Sequence, residues 1–211
     1  MNLFLSVTYA IGLYGAYLAG TFHRREQPNS QSQRSVPYGT LLLTLAIAIP
    51  TTLQFFFPSL LPLFERNYER FLAGDWWRLI TSLFVQDGGI AGSIFNLVSL
   101  ILVGVVAERL WGSRRWLVIF FTGGLLSQLI AFAWQPIGAG NSVANFSLAG
   151  SVAVFCLTLL DAPRIVKVAA TLALAAGLIL LLLTNIHGAA MLFGASIAWL
   201  LRRLDRHRSE G

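Results

Sequence analysis

Three uncharged polar side chains lie at or near the starts of strongly apolar stretches, and they are the residues best able to perform chemistry: Ser142, His187 and Asn96. Polar groups inside membrane segments are costly unless partnered, so such positions are functional candidates by default. A serine hydroxyl becomes a nucleophile when a nearby base can take its proton, and imidazole is the usual base near neutral pH. His23 and His207 are flanked by arginines, which leaves His187 as the histidine able to meet an intramembrane serine.

The segments that must position these residues dominate the composition. The chain has 211 residues, of which 56% are hydrophobic and 11% charged, and its mean hydropathy is +0.69. Soluble domains carry about 25% charged residues. This deficit excludes an ordinary cytosolic enzyme, a disordered protein and a nucleic-acid-binding module. The single cysteine, Cys156, also excludes a disulfide framework or a multi-cysteine metal site. The composition therefore predicts an all-α polytopic membrane protein.

Seven apolar stretches approach the length of about 20 residues that a helix needs to cross a bilayer. We expect spans near residues 2–20, 38–60, 90–107, 116–134, 142–160, 165–183 and 187–201. The first stretch lacks the basic segment and the small-residue cleavage site of a signal peptide. We therefore interpret it as a retained anchor with its N-terminus outside, followed by a polar linker at 23–36.

The basic residues predict the orientation of these spans. Twelve of the fifteen lysines and arginines fall on one side if the linker is cytoplasmic: Arg24, Arg25, Arg34, Arg109, Arg114, Arg115, Arg164, Lys167, Arg202, Arg203, Arg206 and Arg208. By the positive-inside rule, this side and the C-terminus are cytoplasmic. The net charge of +6 is therefore interpreted as an orientation signal, and no nucleic-acid partner is expected.

One long connection, at about 61–89, is expected on the outer side. Its stretch FERNYERFLAGDWWRLI alternates charges with aromatic residues and leucines. This pattern is typical of an amphipathic segment in the membrane interface, with Trp76 and Trp77 at headgroup depth. Anchoring of the loop by these aromatic residues is favoured over a direct contact with a ligand.

The order of the spans predicts that Ser142 and His187 lie at the same depth. The fifth stretch runs inward from Ser142 for about 28 Å at 1.5 Å per residue, and the sixth returns outward. The seventh then begins at His187 near the outer face. Small residues are frequent at 144–151 and 188–195, and they allow membrane helices to approach closely.

No carboxylate is available inside these stretches to orient the imidazole. Glu108 and Asp161 both fall at the cytoplasmic ends, so a catalytic site here would be a Ser-His dyad. The absence of an intramembrane carboxylate also disfavours a proton- or cation-coupled transporter. The alternative is purely structural, in which Ser142 is a helix N-cap and His187 caps another helix.

Four sequence motifs in the same order resemble those of the rhomboid intramembrane serine proteases. GNSVANFSLAG at 140–150 resembles the family's G-x-S-G-A-[IV]-[FY]-G-L-x-G, and HGAAMLFG at 187–194 resembles H-x-G-G-x-x-x-G. GDWWRLITSLF at 74–84 is similar to G-x-W-W-R-x-x-T-x-x-F, and ERLWGSRRW at 108–116 to E-x-x-x-G-x-x-x-[FW]. In addition, Asn96 matches the asparagine of the family's H-x-x-x-N.

The resemblance implies a rhomboid-like six-helix bundle with one extra N-terminal transmembrane helix. The expected organisation is an extra helix at 1–22, a cytoplasmic linker at 23–36, the six-helix core at 37–201 and a basic cytoplasmic tail at 202–211. The protein would be a multi-pass protein of the plasma (inner) membrane. Its partners would be the lipid bilayer and transmembrane protein substrates, with no cofactor, metal or ATP.

The resemblance also implies the roles of individual residues. Ser142 would be the nucleophile, His187 the general base, and Asn96 would stabilise the oxyanion together with the backbone N–H of Ser142. Ser147 and Ser151 are weaker candidates for the nucleophile, because they lie one or two turns deeper, about 7 and 14 Å, and out of register with the motif.

Several positions depart from the family's pattern. The histidine that precedes the motif asparagine is Gly92 here, which removes one oxyanion donor, and the glycine after the nucleophile is Val143. Ala189 and Ala190 replace the two glycines after His187, and Gln86 replaces a histidine of the outer loop. These departures leave a second interpretation open: a rhomboid-like pseudoprotease that binds membrane clients without cleaving them.

Overall fold

The computed structural model describes residues 3–25 and 36–210. The described chain folds into ten helices and one pair of two-residue strands: α1 (Leu3–Arg25), α2 (Tyr38–Phe56), α3 (Leu60–Phe64), β1 (Arg66–Asn67), α4 (Tyr68–Leu72), α5 (Arg78–Thr81), α6 (Gly89–Trp111), α7 (Ser113–Trp134), β2 (Ile137–Gly138), α8 (Ser142–Leu157), α9 (Arg164–Leu182) and α10 (Ile186–Glu210). Each of the seven predicted stretches corresponds to one long helix. The predicted all-α polytopic class is therefore confirmed.

Five of these helices, α1, α2, α6, α7 and α9, are long and apolar enough to cross a membrane. Helix α8 is predominantly apolar but has only 16 residues. In α10 an apolar segment leads into an arginine-rich end within one continuous helix.

Some boundaries differ from those expected. Helix α2 ends at Phe56, just before Pro58, instead of reaching residue 60, since the residue that precedes a proline is disfavoured in helical conformation. Helix α8 ends at Leu157, whereas 160 was expected. Helix α10 continues to Glu210, so residues 202–210 of the predicted basic tail belong to the same helix. Most of the predicted linker, at 26–35, lies outside the described residues.

Glu108 ties together three helix ends on the side that the charge pattern predicts to be cytoplasmic. Its carboxylate accepts hydrogen bonds from the backbone N–H groups of Gly39 and Thr40, at 2.9 and 2.7 Å, at the start of α2. It also accepts from the Thr40 and Ser113 hydroxyls, at 2.7 and 2.6 Å. The turn between α6 and α7 passes through Gly112 at φ +75°, a conformation that favours glycine. Glu108 is therefore a structural carboxylate.

The short helix α8 lies at the centre of the bundle, against α1, α6, α7, α9 and α10. Its contact with α10 depends on glycines. A β-carbon on Gly194 would overlap the backbone of Ser147, and one on Gly150 would overlap the carbonyl of Met191. The small residues of these two helices therefore do what their sequence pattern indicates: they allow the two backbones to touch.

Helix α1 is packed into the bundle rather than attached to its rim. It lies against α9, α8 and α6, and its residues Ala16 and Ala19 are fully buried. A β-carbon on Gly15 would lie 3.0 Å from the carbonyl oxygen of Ala169, so α1 and α9 are in close backbone contact. This packing fixes the rotation of α1 about its axis and determines which of its side chains face the interior.

The long connection between α2 and α6 forms a compact cap. Its strand β1 pairs antiparallel with β2, with Arg66 opposite Gly138. Arg66 and Arg78 are only 3% and 6% exposed, so both guanidinium groups are buried within the cap. The Arg78 guanidinium binds Asp75 at 3.1 Å and the carbonyl of Pro62 at 2.9 Å. Trp76 and Trp77 are exposed, and their headgroup depth stays a prediction.

Candidate active site

Ser142 and His187 come together where two packed helices begin. Ser142 is the first residue of α8 and His187 the second residue of α10. The Oγ atom of Ser142 lies 2.8 Å from Nε2 of His187, which is hydrogen-bonding distance. The glycine-mediated contact between α8 and α10 makes this approach possible. The pair therefore has the geometry in which an imidazole can take a proton from a serine hydroxyl.

Both side chains line a cavity of about 370 Å³. Its other walls come from this cap, including Arg66 and Asp87, and from the β2 segment around Gly138 and Gly140. A reacting group that enters this cavity would meet Ser142 Oγ directly.

The space beside Ser142 also faces Asn96. Gly140 has φ +131°, and a β-carbon there would lie 3.6 Å from Ser142 Oγ and 3.2 Å from Asn96 Nδ2. Both atoms thus border the same small volume. Asn96 Nδ2 donates one hydrogen bond, to Gln86 Oε1 at 2.7 Å, and a primary amide has two N–H donors. Helix α8 begins at Ser142, so the N–H groups of its first turn have no partner within the helix.

A buried amide network holds Asn96 in this position. Gln86 binds Asn96 through its carbonyl oxygen and donates from Nε2 to Asn141 Oδ1 at 2.9 Å. The side chain of Gln54 on α2 pairs with the backbone N–H and carbonyl of Gln86, at 2.9 and 2.6 Å. Asn145 Nδ2 donates to the Asn96 carbonyl at 2.8 Å. Gln86, a departure from the family's pattern, is therefore the centre of a network that the sequence did not reveal.

Arg66 contributes a buried cation to the lining of the cavity. Its guanidinium donates to Gln128 Oε1 and, at 2.6 Å, to the carbonyl of Gln135. Burial lowers the pKa of Arg66 to about 10, and the charges of Asp87 and Glu65 oppose this shift. Arg66 therefore remains charged at neutral pH. Sequence reasoning missed this residue because its charge counted only as part of the outer loop.

The far side of the imidazole is occupied by two neutral groups. Nδ1 of His187 lies 2.7 Å from Asn185 Oδ1 and 3.1 Å from the hydroxyl of Tyr9. Asn185 precedes α10, and Tyr9 belongs to α1. The only signal in the sequence was the position of Asn185 just before a helix, which is typical of an N-cap. Nothing in the sequence placed Tyr9 beside His187.

The other serines of α8 are engaged elsewhere. Ser147 Oγ donates to the carbonyl of Ile119 at 3.1 Å, and Ser151 Oγ to that of Leu148 at 2.7 Å.

At Gly92 a β-carbon would meet no described atom within 4 Å, so the position holds open space where the family's pattern has a histidine. Val143 is buried and also lines the cavity.

Much of the chain is similar in sequence to known proteins. A family model described as the rhomboid domain matches residues 73–207. The rhomboid protease GluP of Bacillus subtilis (strain 168) is 36% identical over 86 residues, which cover 40% of this chain and 17% of the relative. The rhomboid protease AarA of Providencia stuartii is 30% identical over 132 residues, 56% of this chain and 47% of the relative. The chain thus spans less than half the length of either relative. Because the family model matches most of the chain and includes both Ser142 and His187, the protein belongs to the rhomboid family.

Proposed function

We propose that the protein is an intramembrane serine endopeptidase that cleaves transmembrane segments of other membrane proteins through the Ser142–His187 dyad. The observation that carries this proposal is the 2.8 Å contact between Ser142 Oγ and His187 Nε2 beside a cavity. A pseudoprotease has no need of this contact. The names of the relatives GluP and AarA, both rhomboid proteases, support the same reaction class.

The reaction proceeds in two halves. Ser142 Oγ attacks the carbonyl carbon of the scissile peptide bond while His187 Nε2 takes the hydroxyl proton. The tetrahedral intermediate collapses, the C–N bond breaks, and the imidazolium gives this proton to the leaving amine. Water then attacks the ester on Ser142 and loses a proton to Nε2. The second collapse returns that proton to Ser142 Oγ and releases the product as a carboxylic acid, which ionises to the carboxylate in water.

Negative charge develops on the carbonyl oxygen in both halves. We assign its stabilisation to the second N–H of Asn96 Nδ2 and to the backbone N–H of Ser142. Both donors border the cavity beside Gly140, and the start of α8 contributes the positive end of its dipole. Because Gly92 provides no side-chain donor, Asn96 contributes more to stabilising the oxyanion here than it would in a site that has both a histidine and an asparagine.

The cavity size limits the form in which a substrate can bind. An intact helix with side chains is about 10–12 Å wide. A cavity of about 370 Å³ is too small to hold a segment of that diameter. We therefore expect a transmembrane substrate to unwind locally and to present an extended peptide bond to Ser142. Segments with glycine or proline near the scissile bond would be favoured, because those residues weaken helices.

The proposed setting is the plasma (inner) membrane, with the C-terminus cytoplasmic and the dyad near the outer face. In this arrangement 1–22 is an extra N-terminal transmembrane helix, 23–36 a cytoplasmic linker and 37–201 the six-helix core. The distribution of arginines supports the orientation. A test of sidedness is the modification of single cysteines introduced near residues 30 and 139 by a membrane-impermeant thiol reagent in intact cells.

The decisive experiment reconstitutes the full chain in liposomes with a panel of transmembrane substrates. Ser142→Ala and His187→Ala should each abolish cleavage, whereas Ser151→Ala, which alters a serine bonded to its own helix, should retain it. Cleavage that survives either of the first two changes would refute the dyad. Labelling of Ser142 by a fluorophosphonate separates an enzyme from a pseudoenzyme without knowledge of the substrate.

A further inference from the structure

Two residues behind His187 complete the site, and one of them comes from a helix outside the family-matched segment 73–207. We propose that Asn185 and Tyr9 are positioning residues that hold the imidazole of His187 in the tautomer that serves as a base. This inference rests on the proposed function of the dyad. It also gives helix α1 a role in the reaction.

The hydrogen bonds determine which way the Asn185 amide points. Oδ1 of Asn185 accepts the backbone N–H of His187 at 3.1 Å, and only the oxygen of the amide can accept from an N–H donor. The same oxygen lies 2.7 Å from His187 Nδ1. Nδ2 therefore points the other way and donates to the Tyr9 hydroxyl oxygen at 2.8 Å.

This orientation selects the imidazole tautomer. Because Asn185 Oδ1 is an acceptor, the hydrogen of the neutral ring lies on Nδ1 and is donated to it. The lone pair is then on Nε2, which faces the hydroxyl of Ser142 at 2.8 Å. When Nε2 takes the serine proton, Nδ1–H keeps its bond to Asn185 and has the Tyr9 oxygen at 3.1 Å as a second acceptor. Both states of the base are thus accommodated without movement of the ring.

Tyr9 acts by holding the amide of Asn185. If that amide flipped, its NH₂ group would face two donors, the backbone N–H of His187 and Nδ1–H. Those two donors set the orientation of the amide, and the Tyr9 hydroxyl, which can accept or donate, fixes its position by accepting from Nδ2 at 2.8 Å. The Tyr9 ring is itself held between Phe146 and His187, with ring centroids 5.4 and 4.8 Å away. Through these contacts, the packing of α1 in the bundle affects the position of the His187 imidazole.

A simpler role for Asn185 is that of a helix N-cap. The preceding Thr184 has φ +53°, and this turn aims Asn185 at the start of α10. An N-cap requires one acceptor for a backbone N–H, which serine provides as well as asparagine. A serine at 185 is too short to reach Nδ1 as well, and aspartate supplies both a cap and an acceptor for Nδ1–H. Asn185→Ser and Asn185→Asp therefore separate capping from positioning.

The test measures kcat and KM of the full chain in liposomes. Tyr9→Phe removes one hydroxyl and keeps the ring contacts, so we expect kcat to fall about tenfold with KM unchanged within about twofold. Tyr14→Phe is the matched control, because it removes a hydroxyl from an exposed position on the same helix and should change neither constant. Asn185→Ser should lower kcat on the order of 10²-fold, and Asn185→Asp should restore most of that loss.

A double variant provides the sharpest readout. Asn185→Ser leaves no amide for Tyr9 to hold, so Tyr9→Phe should cost less than about twofold in that background, against about tenfold in the wild type. An equal loss in both backgrounds would show that Tyr9 is merely structural. Asn185→Asp no more active than Asn185→Ser would equally overturn the proposal.

Failure of this inference is distinguishable from failure of the dyad. Cleavage that persists in Ser142→Ala refutes the proposed function, whatever Tyr9 does. Cleavage that requires Ser142, together with wild-type rates of fluorophosphonate labelling in Tyr9→Phe and Asn185→Ser, refutes only the positioning role. Thermal unfolding of each variant in detergent checks that losses in rate are not losses of fold.

Discussion

Asn96→Ala offers the most direct measure of how the oxyanion is stabilised. The change removes Nδ2, whose free N–H borders the same space as Ser142 Oγ beside Gly140. The backbone is spared, since alanine is the best helix former and the Asn96 carbonyl still accepts from Asn145 Nδ2. Its other direct consequence is that Gln86 Oε1 loses a donor.

The size of the effect follows from the number of donors. Loss of one oxyanion donor typically lowers kcat by about 10²–10³. The Ser142 N–H remains here, while Gly92 offers no side chain in compensation, so we expect kcat to fall about 10²-fold. At 1.36 kcal/mol per tenfold, this corresponds to about 2.7 kcal/mol of transition-state stabilisation. KM should change less than about twofold, because the interaction strengthens only as charge develops.

The assay follows initial cleavage rates in liposomes as the mole fraction of a transmembrane substrate is varied. Asn96→Asp is the matched variant, because it keeps the shape and removes both N–H donors. It should be at least as impaired as Asn96→Ala, since a carboxylate would oppose the oxyanion. If kcat of Asn96→Ala equals that of wild type while Ser142→Ala is inactive, the oxyanion is stabilised by backbone donors alone and the assignment of Asn96 is refuted.

Two further predictions concern the framework that positions the site. Gly194→Ala places a β-carbon against the Ser147 backbone. This variant should destabilise the fold by about 1–3 kcal/mol and lower kcat. Gly92→Ala, by contrast, adds a β-carbon where there is open space, and it should not lower the unfolding temperature in detergent. Glu108→Gln should lower that temperature by leaving one buried N–H of the α2 start unpaired, a loss of about 1–3 kcal/mol, with KM unchanged. Equal unfolding temperatures for Gly194→Ala and Gly92→Ala, or for Glu108→Gln and wild type, would contradict the respective prediction.

Hydropathy alone predicted the long helices, because an apolar stretch of about 20 residues has few alternatives to a helix in a bilayer. The predictions from hydropathy are wrong where individual residues near a helix end, and not the apolar length of the segment, determine where the helix stops. Pro58 limits α2, and the arginines after residue 201 remain helical because a helix leaving the membrane can continue into water. Hydropathy measures the apolar length of a segment and carries little information about where its helix stops.

The common depth of Ser142 and His187 could be predicted because it depends only on the count of crossings. The contacts of Tyr9, Asn185 and Arg66 could not. These depend on the rotation of each helix and on the pairing of β1 with β2, which are set by packing between elements distant in sequence. Tyr9 lies 178 residues from His187, and no periodicity within α1 indicates which neighbour it faces.

The membrane itself explains why neutral groups, and no carboxylate, lie behind the imidazole of His187. A buried carboxylate behind His187 would orient the imidazole strongly, but removal of a lone negative charge from water costs several kcal/mol. The Asn185 carbonyl and the Tyr9 hydroxyl supply acceptors at 2.7 and 3.1 Å without that charge. They are weaker acceptors, so their orientation must be fixed by contacts, which the packing of α1 provides. The scarcity of charge that identifies a membrane protein thus also shapes the proposed active site: the orientation of the imidazole, which soluble hydrolases obtain from a carboxylate, would come here from a chain of neutral hydrogen bonds.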